Sequence, residues 1–290
     1  MFHKPVLVEE VLEGLNLKKG GVYLDATVGT GGHAGLILRG LEGAGQLIGV
    51  DCDEEILEHA KQSLQEFGAS VQLVHGHYEE LPEILRGLGH TAVDGFLLDL
   101  GVSSLQFDRA DRGFSFRQEG PIDMRMDLSS TQTALDLIRR SSEKDLERII
   151  RNFGEEPRAR RVAAVLKRTP LQRLRTTSDL ARLVASVLPG RSKIHPATRT
   201  FQGLRIAVNK ELERLERFLE IFPGLLSEGG RAVFIAYHSL EDRRIKQRLR
   251  TLKLGGSFKI LTPKPIRPAE REIAENPRSR SARLRIGEKI

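Results

Sequence analysis

The first hundred residues alternate short apolar runs with amphipathic stretches, a rhythm that predicts strand–helix units on a parallel sheet. Val22-Tyr23-Leu24 leads into a glycine-rich turn, and Leu36-Ile37-Leu38 follows on a helix. Gln46 to Val50 reads as a second strand that ends at Asp51. Glu54 to Phe67 reads as a helix, because Ile56, Leu57, Ala60 and Leu64 recur at helical spacing. Val71 to Val74 is a third strand, Leu81 to Leu88 a helix, and Gly95 to Leu98 a fourth strand ending at Asp99.

The rhythm then breaks. From about Gln106 to Thr200 only helices and loops are predicted. One helix starts at Ser142-Glu143-Lys144-Asp145 and stops at Gly154; a second spans Arg158 to Lys167; a third spans Ser178 to Leu188, with Pro189-Gly190 as its end. Leu204, Val208, Leu212, Leu215 and Leu219 line one face of what reads as a single long helix. A Gly-Gly turn and a strand from Arg231 to Ala236 resume the α/β pattern. The expected organisation is a discontinuous α/β domain, residues 1–105 and 201–290, with residues 106–200 inserted as an all-helical domain. The Pro- and Arg-rich segment 255–290 reads as a basic tail.

Composition narrows the function. No stretch approaches the roughly 20 apolar residues of a membrane helix, and the N-terminus lacks the apolar segment of a signal peptide. A single cysteine, Cys52, excludes an internal disulfide framework and a multi-cysteine zinc site, so a cytoplasmic protein is expected. The net charge of +7 is uneven: residues 1–104 carry −10, residues 105–240 carry +8 and residues 241–290 carry +9. An acidic first third joined to a basic remainder suggests a small-ligand site in one part and a polyanion-facing surface in another. Basic residues that merely solvate helix faces would give the same totals.

Candidate chemistry begins at Asp25-Ala26-Thr27-Val28-Gly29-Thr30-Gly31-Gly32-His33, after a strand and before a helix. Glycines let backbone approach a ligand closely and adopt positive φ. Asp51 follows Gly29 by 22 residues at a strand end, where a carboxylate can accept from both hydroxyls of a ribose. The glycine spacing also fits a dinucleotide fingerprint. Asp25, four residues before Gly29, tips the reading to S-adenosylmethionine, because an acid near the first turn can face the methionine ammonium. Tyr78 and Asp99 lie just past the third and fourth strands, where open parallel sheets bind ligands. Asp99 can hold an amine or serve as a turn cap, and His33 can contact ligand or only begin a helix. His75 and His77 alternate on a predicted strand and point the same way, but two histidines do not make a metal site.

Several blocks together resemble the MraW family, ribosomal RNA small-subunit methyltransferase H. They are Gly31-Gly32-His33, Asp99 to Ser104, Arg112 to Phe116, Asp123 to Asp127, His195 to Gln202 and His238 to Arg243. The resemblance runs from His3-Lys4-Pro5-Val6-Leu7 to Glu275 to Ser281. It implies a class I S-adenosylmethionine-dependent methyltransferase: a Rossmann-like, mostly parallel sheet with an inserted all-helical domain. The implied reaction is methylation of the N4 amino group of a cytidine in the decoding region of 16S ribosomal RNA, within a 30S particle or late assembly intermediate. Gly31, Gly32, His33, Asp51, Asp99 and Gln106 would contact S-adenosylmethionine, and Tyr78 stands where the family often has Phe.

A sulfonium already makes its methyl group electrophilic, so no metal is expected. The acceptor amine needs a hydrogen-bond acceptor on one N–H, a catalytic role expected of Asp99 with help from Ser103 or Ser104. Cys52 lies on the ribose side, which argues against C5 methylation of cytosine. The Asp/Asn-Pro-Pro-aromatic motif of many amino-methylating enzymes is absent. Arg158, Arg160, Arg161, Lys167 and Arg168, with Arg278, Arg280, Arg283 and Arg285 in the tail, are candidate phosphate contacts. His238 could line a substrate pocket, while His195 has no assigned role. An NAD-dependent oxidoreductase and a non-catalytic ribosome-assembly factor are the alternative readings.

Overall fold

In a computed structural model the described residues are 5–188 and 194–290, which leaves the expected helix end at Pro189-Gly190 and the first four residues outside them. In chain order the elements begin with α1 (Val8–Leu15), β1 (Val22–Asp25), α2 (Gly32–Gly40), β2 (Gln46–Asp51) and α3 (Glu54–Ser63). Next come β3 (Val71–His75), α4 (Leu81–Gly87), β4 (Val93–Asp99) and α5 (Ser104–Asp108). Then follow α6 (Ala134–Arg140), α7 (Glu143–Asn152), α8 (Ala159–Arg168), α9 (Thr177–Val187), α10 (Thr198–Asn209) and α11 (Glu211–Leu225). The chain closes with β5 (Leu226–Ala236), α12 (Ser239–Leu254), β6 (Phe258–Ile260), α13 (Glu270–Glu275) and β7 (Arg283–Lys289).

These elements form two compact units, residues 1–101 with 212–290, and residues 102–211. The first contains a seven-stranded sheet in the order β3-β2-β1-β4-β5-β7-β6. β3 to β5 are parallel, and β7 runs antiparallel between β5 and β6. Period-2 alternation sends side chains to two cores. Leu24, Ile48, Phe96, Leu98 and Phe234 face one core with helices α4, α11 and α12. Tyr23, Leu47, Leu97, Val233 and Ile235 face the other with α1, α2 and α3. The first face is built around Phe96, Phe218, Phe222 and Phe234, whose rings meet mostly edge to face.

The second unit is helical, with its own core of residues such as Ile138, Leu146, Ile150, Val162, Leu180, Val184 and Leu204. Helix starts there carry the capping chemistry their sequences advertise. Ser103, Thr133, Ser142 and Thr176 each accept from the backbone N–H three residues on.

Five expectations need correction. The single helix through Leu204 and Leu219 is two helices, broken at Lys210, whose φ of 51° lies in the left-handed region. Leu204 packs in the core of the second unit, whereas Leu215 and Leu219 pack in the first, so one apolar stripe serves two cores. The division between units accordingly falls after Glu211 rather than at 200. The Gly-Gly turn lies inside β5, where pairing with β4 shifts register between Val93 and Gly95. His77 is past the end of β3 and caps a short 3₁₀ turn, so it does not share a strand face with His75. The 255–290 segment is not a tail, since its β6 and β7 belong to the sheet.

Candidate active site at the strand ends

Three carboxylates stand at the C-terminal ends of adjacent strands: Asp51 on β2, Asp25 on β1 and Asp99 on β4. The turn from β1 into α2 is shaped by glycines. Gly29 adopts φ 54° and donates its N–H to Asp51 Oδ2 at 2.9 Å. Gly31 adopts φ 90°, and a Cβ there would lie 2.6 Å from Ser63 Oγ and 3.0 Å from Leu64 Cγ. Only glycine meets both demands. Asp51 Oδ1 accepts from Asp53 N at 3.0 Å, and the Cys52 N–H is a further backbone donor to this carboxylate.

Asp99 is held by its backbone, whose N–H reaches Thr27 Oγ1 at 2.8 Å. Its side chain is 21% exposed, while Oδ1 is enclosed and lacks a hydrogen bond of good geometry. His33 is buried, and its Nε2 lies 2.8 Å from the Val6 carbonyl. A carbonyl only accepts, so Nε2 carries the hydrogen, and Nδ1 is the atom 3.7 Å from Asp99 Oδ2. Val6 sits on a strap over the glycine turn. Pro5 closes on Gly32, where a Cβ would lie 2.8 Å from Pro5 Cγ, and Leu7 has φ 54°. The Leu7 N–H is taken by Glu272 Oε1 of α13 at 2.9 Å.

Packing three acids at one sheet end is costly in the charged form. Burial pushes Asp25 up to about 8; Asp99 and Asp51 add to this, and the Thr27 N–H opposes it. Burial raises Asp99 to about 7, against a hydrogen bond from Tyr237 and with support from Glu241. Burial also raises Asp51 to about 6, opposed by the N–H groups of Asp53 and Gly29. Such a cluster favours a ligand with positive charge, which would relieve the mutual repulsion. S-adenosylmethionine carries a sulfonium and an ammonium as well as a ribose, so the donor set fits it.

The structure thus places Gly31, Gly32, His33, Asp51 and Asp99 at one end of the sheet. Tyr78 follows β3 at that end, its ring edge-on to Phe218 at 5.6 Å. Gln106 lies in the second unit, where its Oε1 accepts from Ser103 N in a capping box. Ser103 Oγ is taken by the Gln106 N–H at 3.2 Å, so one of the two expected helpers of Asp99 is already a helix cap.

Several other roles change. His238 caps α12 and sits 3.0 Å from the buried Glu241, so it is a structural residue of that helix start. His195 Nδ1 accepts from Ala197 N, and its ring lies 4.5 Å from that of Phe116. Lys167 donates to the carbonyls of Ile138 and Arg139, satisfying the end of α6. Arg285 is buried on β7 and pairs with Asp242 at 2.6 Å, and Arg283 reaches the same carboxylate. These three basic side chains are occupied within the protein and leave the list of phosphate contacts. Thr27, Tyr237 and the Glu272-held strap are the site features missed from sequence. Tyr237 is two residues beyond the β5 partner of Asp99, a relation only the sheet register reveals.

Among the described residues no helix is long and apolar enough to cross a membrane. Over residues 1–290 the chain matches the family described as MraW methylase. It is 46% identical to a Ribosomal RNA small subunit methyltransferase H of Citrifermentans bemidjiense, covering 99% of this chain and 98% of that one. It is 48% identical to one of the same name from Cyanothece sp., covering 99% and 95%. Among solved structures, a candidate rRNA-methylase from Clostridium thermocellum superposes with a TM-score of 0.51 at 12% identity, covering all of both chains. At that identity the likeness concerns the fold, which is the class I methyltransferase fold expected from sequence.

Proposed function

This chain belongs to the MraW methylase family, and on that footing we propose that it methylates the N4 amino group of a cytidine in the decoding region of 16S ribosomal RNA, using S-adenosylmethionine. The observation that carries the proposal is the trio Asp25, Asp51 and Asp99 at the strand ends, raised by burial and placed where a cationic methyl donor would relieve them. Bound there, S-adenosylmethionine supplies an electrophilic methyl group.

The remaining roles belong to the chain. Asp51 would accept from the ribose hydroxyls, and the Tyr78 ring would offer a face to the adenine. Asp25 balances the charge of the methionine ammonium. Asp99 would accept an N–H of the cytosine amine, which localises the nitrogen lone pair, and would take the proton released as the N–CH3 bond forms and the methyl–sulfur bond breaks, leaving a neutral thioether. Strand ends hold these groups rigidly, so most of the rate enhancement is alignment of amine and methyl donor.

The RNA is a ribosomal small-subunit substrate, presented in a 30S particle or late assembly intermediate in the cytoplasm. The target base must leave its stack to reach the site, at a cost of a few kcal/mol that is lower in an irregular loop. Exposed Arg160, Arg161 and Arg168 on α8 contribute phosphate contacts.

The test is to incubate the protein with S-adenosylmethionine and unmodified small subunits, then digest the RNA for nucleoside mass spectrometry. N4-methylcytidine in the decoding-region fragment is expected. Methylation confined to another atom or base refutes the assignment, and a particle that gains no methyl group refutes the catalytic reading itself.

A further inference from the structure

From Arg243 to Ala269 the chain carries nine basic residues and no acidic one, more basic residues than any other acid-free stretch of the sequence. It covers most of α12, the edge strand β6 and the loop after it. Three of the nine are already partnered: Arg244 pairs with Glu216, Arg248 donates to the Leu219 carbonyl, and Arg243 is engaged as well. Lys246, Arg250, Lys253, Lys259, Lys264 and Arg267 are exposed, and none of these side chains has an ion-pair partner among the described residues.

Apart from Arg160, Arg161 and Arg168 on α8, many basic side chains elsewhere are spent differently. On the second unit Arg148, Arg151, Arg182 and Arg199 pair with Asp145, Glu147, Asp179 and Glu156. Edge-strand protection accounts for Lys259 alone. It gives no reason for Lys246, Arg250 and Lys253, which recur at helical spacing along one exposed stripe of α12. The inward stripe, Ile245, Leu249 and Leu252, fixes that orientation by packing in the core.

Strand order turns the sequence asymmetry into a spatial one. The acidic first hundred residues supply β3, β2, β1 and β4, and the basic end supplies α12, β6 and β7 at the opposite edge. We propose that this α12–β6 face is a second RNA-backbone contact surface on the methyltransferase unit itself, reading phosphates without regard to sequence. The proposal rests on the RNA-methylating function above.

α12 begins at Ser239, just past the end of β5, and Lys253 lies about 20 Å along its axis from that start. The phosphates it contacts are therefore several nucleotides from the reacting base. A long or folded RNA engages the face, and a short oligonucleotide centred on the target does not.

The experiment compares the full-length wild type with Lys246→Gln/Arg250→Gln/Lys253→Gln. Binding to 16S RNA and to poly-uridine is measured from 50 to 300 mM salt. S-adenosylmethionine binding by calorimetry serves as the control that the site is intact. Each lost phosphate contact should flatten the log–log salt slope by about 0.7–0.9, so the triple variant should flatten it by about 2 and weaken binding at least tenfold at low salt, on both RNAs.

An unchanged slope and affinity overturn the proposal, as does preferential capture by vesicles rich in phosphatidylserine over RNA. If cofactor binding is lost in the triple variant, Lys264→Gln/Arg267→Gln decides on the same criteria. Nucleoside analysis of the wild-type product tests the N4 assignment separately, so a wrong target atom would leave the salt-slope result readable.

Discussion

Replacing Asp99 with Asn should stabilise the ligand-free protein while stopping methyl transfer. Burial lifts the Asp99 carboxyl from 3.8 to about 7. A raised acid penalises the folded state only when ionised. Below about pH 4 the penalty is absent, because the group is protonated whether the chain is folded or not. Between about pH 4 and 7 the unfolded chain ionises first and stability falls; above about 7 the penalty is complete. Three pH units at 1.36 kcal/mol each set an upper limit of about 4 kcal/mol. Structural relaxation and the weaker hydrogen bond that Tyr237 would make to an amide reduce the expected gain to about 1–3 kcal/mol at pH 8. Urea unfolding of both proteins at pH 4.5 and 8 should show a gap that opens with pH. A variant less stable than wild type at pH 8, or a gap equal at both pH values, refutes the electrostatic reasoning. Full turnover by a variant that still binds cofactor refutes the role of Asp99 as acceptor.

S-adenosylmethionine affinity should rise as pH increases from 5.5 to 8.5, because Asp51, Asp99 and Asp25 ionise in that window and the ligand is cationic; calorimetry showing a flat profile would count against the carboxylate trio. Gly31→Ala should weaken cofactor binding by tenfold or more, since the new Cβ meets Ser63 and the left-handed backbone adds about 1–2 kcal/mol of strain, and wild-type affinity would refute this. Arg285→Ala should cost about 1.5–3 kcal/mol in urea unfolding, because Asp242 loses its short, buried charge-assisted hydrogen bond and keeps only the longer contact to Arg283. Glu272→Ala should release the strap, read as faster hydrogen exchange at Leu7 and a raised KM for cofactor with kcat little changed. Glu272→Gln, which can still accept from the Leu7 N–H, should behave as wild type.

The parallel half of the sheet was legible because its strands are buried and its glycine turn needs residues that no other local structure requires. Asp51 and Asp99 could be placed from strand ends alone. What escaped was set by distance in sequence. β7 reads as Arg-Leu-Arg-Ile, an alternation that signals a half-buried strand, but the density of arginines masked it as a tail; Asp242, more than forty residues away, makes Arg285 tolerable there. The break at Lys210 left no local trace, because Leu204 to Leu219 keep helical spacing across it while serving separate cores. The strap was invisible for a like reason, since Glu272 and Leu7 lie 265 residues apart.

That last strand occupies an interior position, with β5 on one side and β6 on the other. Losing β7 would therefore not trim the sheet at its margin but split it, baring a row of unpaired backbone groups on β5 and another on β6. Damage to residues 283–289 should accordingly expose more sticky edge than the loss of β3, which lies at the sheet's far margin.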